Sequence, residues 1–419
     1  MRHNRTSPRV LHFSFLIAFV LAIAYLLPDA PASAPEKSSH SAAVHTMTGL
    51  EVFESMSSDP LRLKHIGIIT NQTGVDPQGR RTIDIFSHRR NSTLVAIFSP
   101  EHGIAGHADS AVANTTDAQT GVPIYSLYGE SRRPTDAMLK GIDVLVFDLQ
   151  DAGVRFYTYV TTMAYCMEAA AKHHISFIVF DRPDPLGGEV VEGPVLDRDR
   201  LSFTGYFPMP VRYGMTIGEL ARMFNEENKI GTDLRVFRMR KWSRHETYDQ
   251  TGLAWIPPSP NLRTIEEALL YPGVEILQAA GISVGRGTDT PFEIIGAPWI
   301  HDAELADELN RRRIPGLRFS PMPFTPWEGL YRGQPCAGVR IEITDRAAFS
   351  SMRMGLEIAD SLHRHYPQDF PLEKINELVG SERTIERLER GDTPAAIVAG
   401  WSSDLDKFRA MRAKYLLYH

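Results

Sequence analysis

The sequence predicts an α/β fold, with an open parallel sheet that carries the functional site and a smaller α+β auxiliary subdomain after it. Three observations lead there. Four short, continuous runs rich in Val, Ile and Phe lie between His65 and Pro183, an alanine-rich helical stretch separates the last two, and the pattern loosens after Asn228. Continuous apolar runs of this length suit strands buried on both faces, as in a parallel sheet covered by helices.

In chain order the strands are HIGIIT (His65 to Thr70), TLVAIFS (Thr93 to Ser99), DVLVFDLQ (Asp143 to Gln150) and SFIVFDRP (Ser176 to Pro183). Thr158 to Lys172 is long enough to be the crossover helix that a parallel pair requires. A strand-like RVFRMRKW (Arg235 to Trp242) leads to the proline-rich WIPPSPN and then to SVGRGTDTPFE. A helix from about Ala303 to Arg313, a strand from Gly338 to Ile343 and several C-terminal helices complete the chain, with no internal repeat. The expected subdomains are residues 47–235 and 236–419.

At 419 residues and 43% hydrophobic content the chain can bury a large core. Its formal charge of -6 and scattered Lys and Arg provide no basic field for nucleic acid. The N-terminus places Arg2, Arg5 and Arg9 before an apolar stretch from Leu11 to Leu27, followed by Pro28, Ala30, Pro31, Ala32, Ser33 and Ala34. That is signal-peptide order over residues 1–34, with cleavage after Ala32 favoured because cleavage after Ala34 would leave Pro35 first. Residues 35–46 read as a linker. The chain is expected to be exported to a periplasmic or extracellular location; an uncleaved segment acting as a membrane anchor is the alternative. With only Cys166 and Cys336, no disulfide framework holds the fold, and two buried free thiols are expected.

The strands end in polar groups: Asn71 and Gln72, Glu101 and His102, Asp148 with Gln150 and Asp151, Asp181 and Arg182. In an open parallel sheet the ligand crevice lies outside the carboxyl ends of the strands, so these termini converge on one edge. Caps and turn formers are the alternative reading of each one taken singly. SVGRGTD offers Arg286 between Gly285 and Gly287 as a clamp for a small carboxylate, against a tight turn with a solvated arginine. It lacks the Gly-Lys-Ser/Thr ending of a nucleotide loop. Glu101, His102, His107 and Asp109 match no metal signature, Gly103 and Gly106 argue for a loop, and no G-x-S-x-G elbow occurs, so no metal or cofactor is expected. Carboxylate chemistry remains. Glu101 follows an apolar strand and Pro100, where desolvation would fit it as a general acid, and Glu189 and Glu192 lie in the loop after the fourth strand.

Taken together, IGIITNQTG, FSPEHGIAG, DLQDAGVRFYTYVTTM, FDRPDPLGG, VEGPVLD, PPSPN, SVGRGTDTPFEIIGAPWI and KYLLY resemble the NamZ-type exo-β-N-acetylmuramidases, from about Gly49 to Tyr418. The resemblance implies a Rossmann-like N-terminal subdomain with the active site and a C-terminal auxiliary subdomain. It implies release of N-acetylmuramic acid from the non-reducing end of peptidoglycan fragments in cell-wall turnover or recycling. Glu101 is then the catalytic glutamate and Glu192 the second acidic group. Arg286, Arg155 and Arg182, in that order, would hold the lactyl carboxylate. Asn71, His102, Asp148 and Gln150 would bond the sugar, Tyr157 would stack on its ring, and Asn261 of PPSPN joins the substrate-binding set. If the 2-acetamido group is the nucleophile, Glu101 alone is the acid and Asp148 or Glu192 orients the amide. One departure stands out: relatives read Glu-x-x-Asn before the glycine-arginine-glycine motif, where this chain has Gln278 and Gly281. A non-catalytic muropeptide-binding protein on the same fold is the leading alternative; a serine esterase or amidase is disfavoured.

Overall fold

A computed structural model describes residues 45–108 and 111–419. The signal segment at 1–34, nearly all of the linker at 35–46, and Asp109 lie outside the described residues. The four quoted apolar runs become the centre of a seven-stranded sheet: β1 (His65–Thr70), β2 (Thr93–Ser99), β3 (Thr115–Thr116), β4 (Pro123–Ser126), β5 (Val144–Asp148), β6 (Ser176–Phe180) and β7 (Leu234–Phe237). Its order is β3-β4-β2-β1-β5-β6-β7. All neighbours run parallel except β3, which pairs antiparallel with β4.

From β1 the chain first builds outward through β2 and β4, then returns to the other side of β1 to add β5, β6 and β7. The strand order therefore reverses at β1, and a crevice opens outside the carboxyl ends of the strands there. Residues following β1, β2 and β5 are delivered to that crevice.

Alternation along each strand divides the apolar side chains between two layers. Ile66, Ile68, Ile97, Val144, Val146 and Phe180 pack with Phe53 and Phe86 of α1 (Gly49–Glu54) and α2 (Thr82–Ser87). On the opposite face, Ile69, Phe98, Leu145, Phe147 and Phe177 meet α3 (Tyr159–Lys172) and α4 (Ile217–Glu227). This second layer continues without a break into the rest of the chain, reaching Ile295, Phe319, Val339 and Ile341.

Those residues belong to an antiparallel sheet of order β8-β10-β9, formed by β8 (Ile294–Ala297), β9 (Leu317–Pro321) and β10 (Ala337–Ile343). Helices α5 (Ile265–Val274), α6 (Asp302–Arg311) and α7 (Ser351–His365) flank it, and short helices fill residues 372–412. Helices α5 and α7 cross backbone to backbone, since a Cβ on Gly355 would lie 2.3 Å from the Gly273 carbonyl oxygen. Because β7 is the edge of the parallel sheet, a boundary drawn at 235/236 falls inside a strand, and the two subdomains share one core. Cys166 and Cys336 are both buried and free.

Candidate active site

The SPEHG segment forms a tight turn at the end of β2. The Gly103 amide donates to the Pro100 carbonyl at 3.1 Å, and both His102 (φ 69°) and Gly103 (φ 70°) adopt the left-handed region. For a histidine this conformation costs on the order of 1 kcal/mol, and such strain persists where surrounding contacts enforce it. The His102 ring supplies one of them, with Nδ1 2.8 Å from the Ala108 carbonyl oxygen. Glu101 is thereby held half-buried at the sheet edge.

Thr158 fixes the carboxylate. It stands at the N-cap of α3, yet its hydroxyl caps nothing in the helix and donates instead to Glu101 Oε2. The next residue, Tyr159, is a buried hub: its hydroxyl donates to the Pro258 carbonyl at 2.7 Å, receives Asn71 Nδ2 at 2.9 Å and lies 3.3 Å from the Glu101 carbonyl. Gln72 Nε2 donates to the Pro257 carbonyl at 2.8 Å. The PPSPN segment, with buried Asn261, is thus strapped to the ends of β1 and β2.

Asp151, three residues beyond β5, is the second carboxylate of this region. Its Oδ2 accepts from the Gly153 amide at 2.8 Å and from the Tyr213 hydroxyl, while Oδ1 has no hydrogen-bond partner. Burial pushes its carboxyl up from 3.8 to about 6. Asp184 lies close enough to sense its charge and is itself raised to about 7 by burial. The hydroxyls of Tyr159 and Tyr271 both lie within electrostatic range of Glu101 and Asp151, which places the two carboxylates around one aromatic cluster. Tyr157 completes that cluster, with its ring edge-on to Tyr159 at 4.7 Å and to Tyr271 at 6.2 Å.

Arg286 reaches the same cluster from the second half of the chain. Its guanidinium donates to Glu275 Oε1 at 2.7 Å and lies 5.3 Å from the Phe292 ring centre, and Tyr271 senses both charges. The Gln278–Gly281 stretch precedes it. Gly281 is left-handed (φ 85°) and its carbonyl accepts from the Tyr331 hydroxyl at 2.8 Å.

Glu101, His102, Tyr157 and Arg286 lie around one aromatic cluster, in which Tyr157 is buried edge-on and offers no open face for a sugar ring, and six other residues expected at the site are engaged elsewhere. Glu192 is not a cleft carboxylate: one oxygen pairs with Arg212 at 3.1 Å, and the other accepts from the Met352 amide at 2.7 Å and the Ser350 hydroxyl, capping α7. Arg155 is 1% exposed and spends its guanidinium on the carbonyls of Pro194, Met209, Leu378 and Val379. Asp148 and Arg182 form a buried ion pair at 2.6 Å, which Thr82 and the Val75 carbonyl complete. Asn71 and Gln150 act through neighbours. Asn71 binds Tyr159 and Thr73, and the Gln150 amide donates to the carbonyls of Asp151 and Pro183. Sequence reasoning missed Thr158, Tyr159, Tyr271 and Glu275, and placed Asp151 at the sheet edge without a role, although Thr158, Tyr159 and Asp151 sit inside the quoted DLQDAGVRFYTYVTTM. Among the described residues, no group of three or more His, Cys, Asp or Glu side chains could hold a metal ion.

Comparison with known proteins gives a consistent set of relatives. A family model described as exo-beta-N-acetylmuramidase NamZ, N-terminal, matches residues 66–266, and its C-terminal counterpart matches residues 269–418. The chain is 41% identical over 394 residues to the peptidoglycan β-N-acetylmuramidase NamZ of Bacillus subtilis (strain 168), covering 93% of this chain and 95% of that protein. It also resembles a crystal structure of a DUF1343 family protein from Bacteroides fragilis NCTC 9343, with 38% identity, a TM-score of 0.83 and coverage of 90% of this chain and all of that one. A second DUF1343 structure from the same organism is 31% identical, with a TM-score of 0.72 and coverage of 89% and 99%.

Proposed function

The chain belongs to the NamZ family of exo-β-N-acetylmuramidases, and from that membership we infer that it releases N-acetylmuramic acid from the non-reducing end of peptidoglycan fragments. It is a glycosidase. Its substrate is a peptidoglycan-derived glycan, and the setting is cell-wall turnover or recycling.

In our reading Glu101 is the general acid. The observation that carries it is the hydrogen bond from Thr158 to Oε2, which leaves the other oxygen, Oε1, to hand its proton to the glycosidic oxygen as the C1–O bond breaks. Hydrolysis consumes one water, whose oxygen ends on C1. Asp151 takes the supporting role that sequence reasoning gave to Glu192, acting from beneath the aromatic cluster: its buried carboxylate, held by the Tyr213 hydroxyl and the Gly153 amide, adds negative charge below the positive charge developing at C1. Arg286 is our choice for the lactyl carboxylate, because its guanidinium, though paired with Glu275, is 28% exposed, whereas Arg155 and Arg182 are buried. Replacing Glu101 by Gln tests the assignment. Release of N-acetylmuramic acid from a MurNAc–GlcNAc disaccharide should fall by about a thousandfold while binding persists. Unchanged turnover would overturn it.

We also propose export, on the strength of Arg2, Arg5, Arg9 and the Leu11–Leu27 stretch. Among the described residues no helix is long and apolar enough to cross a membrane, so the anchored alternative rests on that stretch alone. Fractionation of expressing cells, with the N-terminal residue of the product determined, separates the two.

A further inference from the structure

Of the five tryptophans only Trp327 is exposed, at 51%, and it sits beside Leu330, itself 40% exposed. Both belong to the connection between β9 and β10, a hairpin closed by the mutual Phe324–Cys336 backbone bonds of 3.0 and 2.8 Å. Among the described residues Leu63, Val190 and Leu201 are the other large apolar side chains exposed to this degree, and none of them is fastened to the Arg286 segment.

The hairpin is fastened to the active-site segment at two points. The Trp327 amide donates to the Gly287 carbonyl at 2.8 Å, and the Tyr331 hydroxyl donates to the Gly281 carbonyl at 2.8 Å. Between them runs the stretch that carries Arg286. At Gly287 the fit is close, since a Cβ there would lie 2.4 Å from the Glu328 carbonyl oxygen. Tyr331 holds a left-handed conformation at φ 61°, a strain that the two clamps sustain. The backbone of Trp327 is therefore anchored one residue from the arginine whose charge reaches Tyr271, and the indole it carries is exposed.

We propose that Trp327 is the platform for the leaving sugar, the N-acetylglucosamine on the reducing side of the scissile bond. An exo-acting site encloses the terminal sugar and must let the rest of the glycan run out over its rim. A flat indole there matches the apolar C–H face of a pyranose, and its two side-chain torsions make it inexpensive to order. Leu330 widens the same surface. The inference rests on the hydrolase reading above and deepens it.

Kinetics on the MurNAc–GlcNAc disaccharide, with free N-acetylmuramic acid as a competitive inhibitor, test the proposal. Replacing Trp327 by Ala should raise KM for the disaccharide about tenfold, leave kcat within about twofold and leave the inhibition constant of the monosaccharide unchanged. Trp327→Phe should restore most of the affinity. An active Trp327→Ala variant with unchanged KM overturns the platform, as does a monosaccharide constant that rises in step with KM, which would put the indole against the terminal sugar. A wild-type protein that releases no N-acetylmuramic acid overturns the hydrolase reading and the platform together.

Discussion

Asparagine at position 151 should make the protein more stable and less active. Asp151 is buried, and its carboxyl is pushed up to about 6 from 3.8 mainly by desolvation. Because the folded-state value lies above the unfolded one, the folded protein binds this proton more tightly. Stability is then highest below about pH 4 and is lost as the pH rises through about 6. At about 1.4 kcal/mol per pH unit, ionising Asp151 costs the folded state about 3 kcal/mol at neutral pH. Asparagine matches the shape and keeps a carbonyl oxygen for the Tyr213 hydroxyl and the Gly153 amide. Urea denaturation of both proteins between pH 4 and 8 reads the difference. The variant should gain up to about 3 kcal/mol at pH 7, little at pH 4, and lose one proton's worth of slope between them. Removing this charge also eases Asp184, which adds in the same direction. A variant equally stable or weaker at pH 7, with the wild-type slope intact, would refute the reasoning. Turnover of the disaccharide should fall by at least a hundredfold, so that the protein trades stability for the ionised carboxylate its chemistry uses.

Two further outcomes follow from contacts already described. Glu192→Ala leaves the buried Arg212 without its partner and α7 without its cap, so denaturation should register a loss of about 3 to 5 kcal/mol. Glu192→Gln, measured per folded molecule, should keep kcat within about threefold; a hundredfold drop would return the residue to the catalytic set. Gly355→Ala drives a methyl group into the Gly273 carbonyl, where backbone faces backbone and no side chain can yield, and thermal unfolding should show a loss of about 3 kcal/mol or more.

The central strands could be read from sequence because burial on both faces leaves an uninterrupted apolar signature, and β1, β2, β5 and β6 are those strands. The flanking pieces β3 and β4 are two and four residues long and too brief to leave one, while β7 reads in the sequence as a longer strand-like stretch than the four residues it spans. Glu101 was legible because its position at a strand end is a local property. The error over Glu192 has the opposite origin. It and Asp151 are both acidic residues in polar loops after buried strands, and what separates them is where their hydrogen-bond donors come from. The donors to Glu192 lie 20, 158 and 160 residues away along the chain. Arg155 was misjudged for the same reason, since two of its acceptors are 223 and 224 residues distant. Thr158 shows a subtler limit: it opens the stretch that reads as the crossover helix, and only the fold reveals that its hydroxyl turns to the carboxylate.

Such distant partners also bear on how the chain acquires its structure. Asp181, at the end of β6, is raised to about 7 by burial and takes hydrogen bonds from Thr216 at 2.8 Å and from the Tyr418 hydroxyl at 2.5 Å, 237 residues downstream. The neighbouring Glu219 likewise accepts from the Leu417 amide at 2.7 Å. During synthesis the sheet that carries the active site emerges first, yet two of the acids buried against it gain their last donors only when residues 417 and 418 arrive. The C-terminal residues therefore complete the catalytic half, adding the Tyr418 hydroxyl and the Leu417 amide to acids already bonded to Thr216 and Arg244.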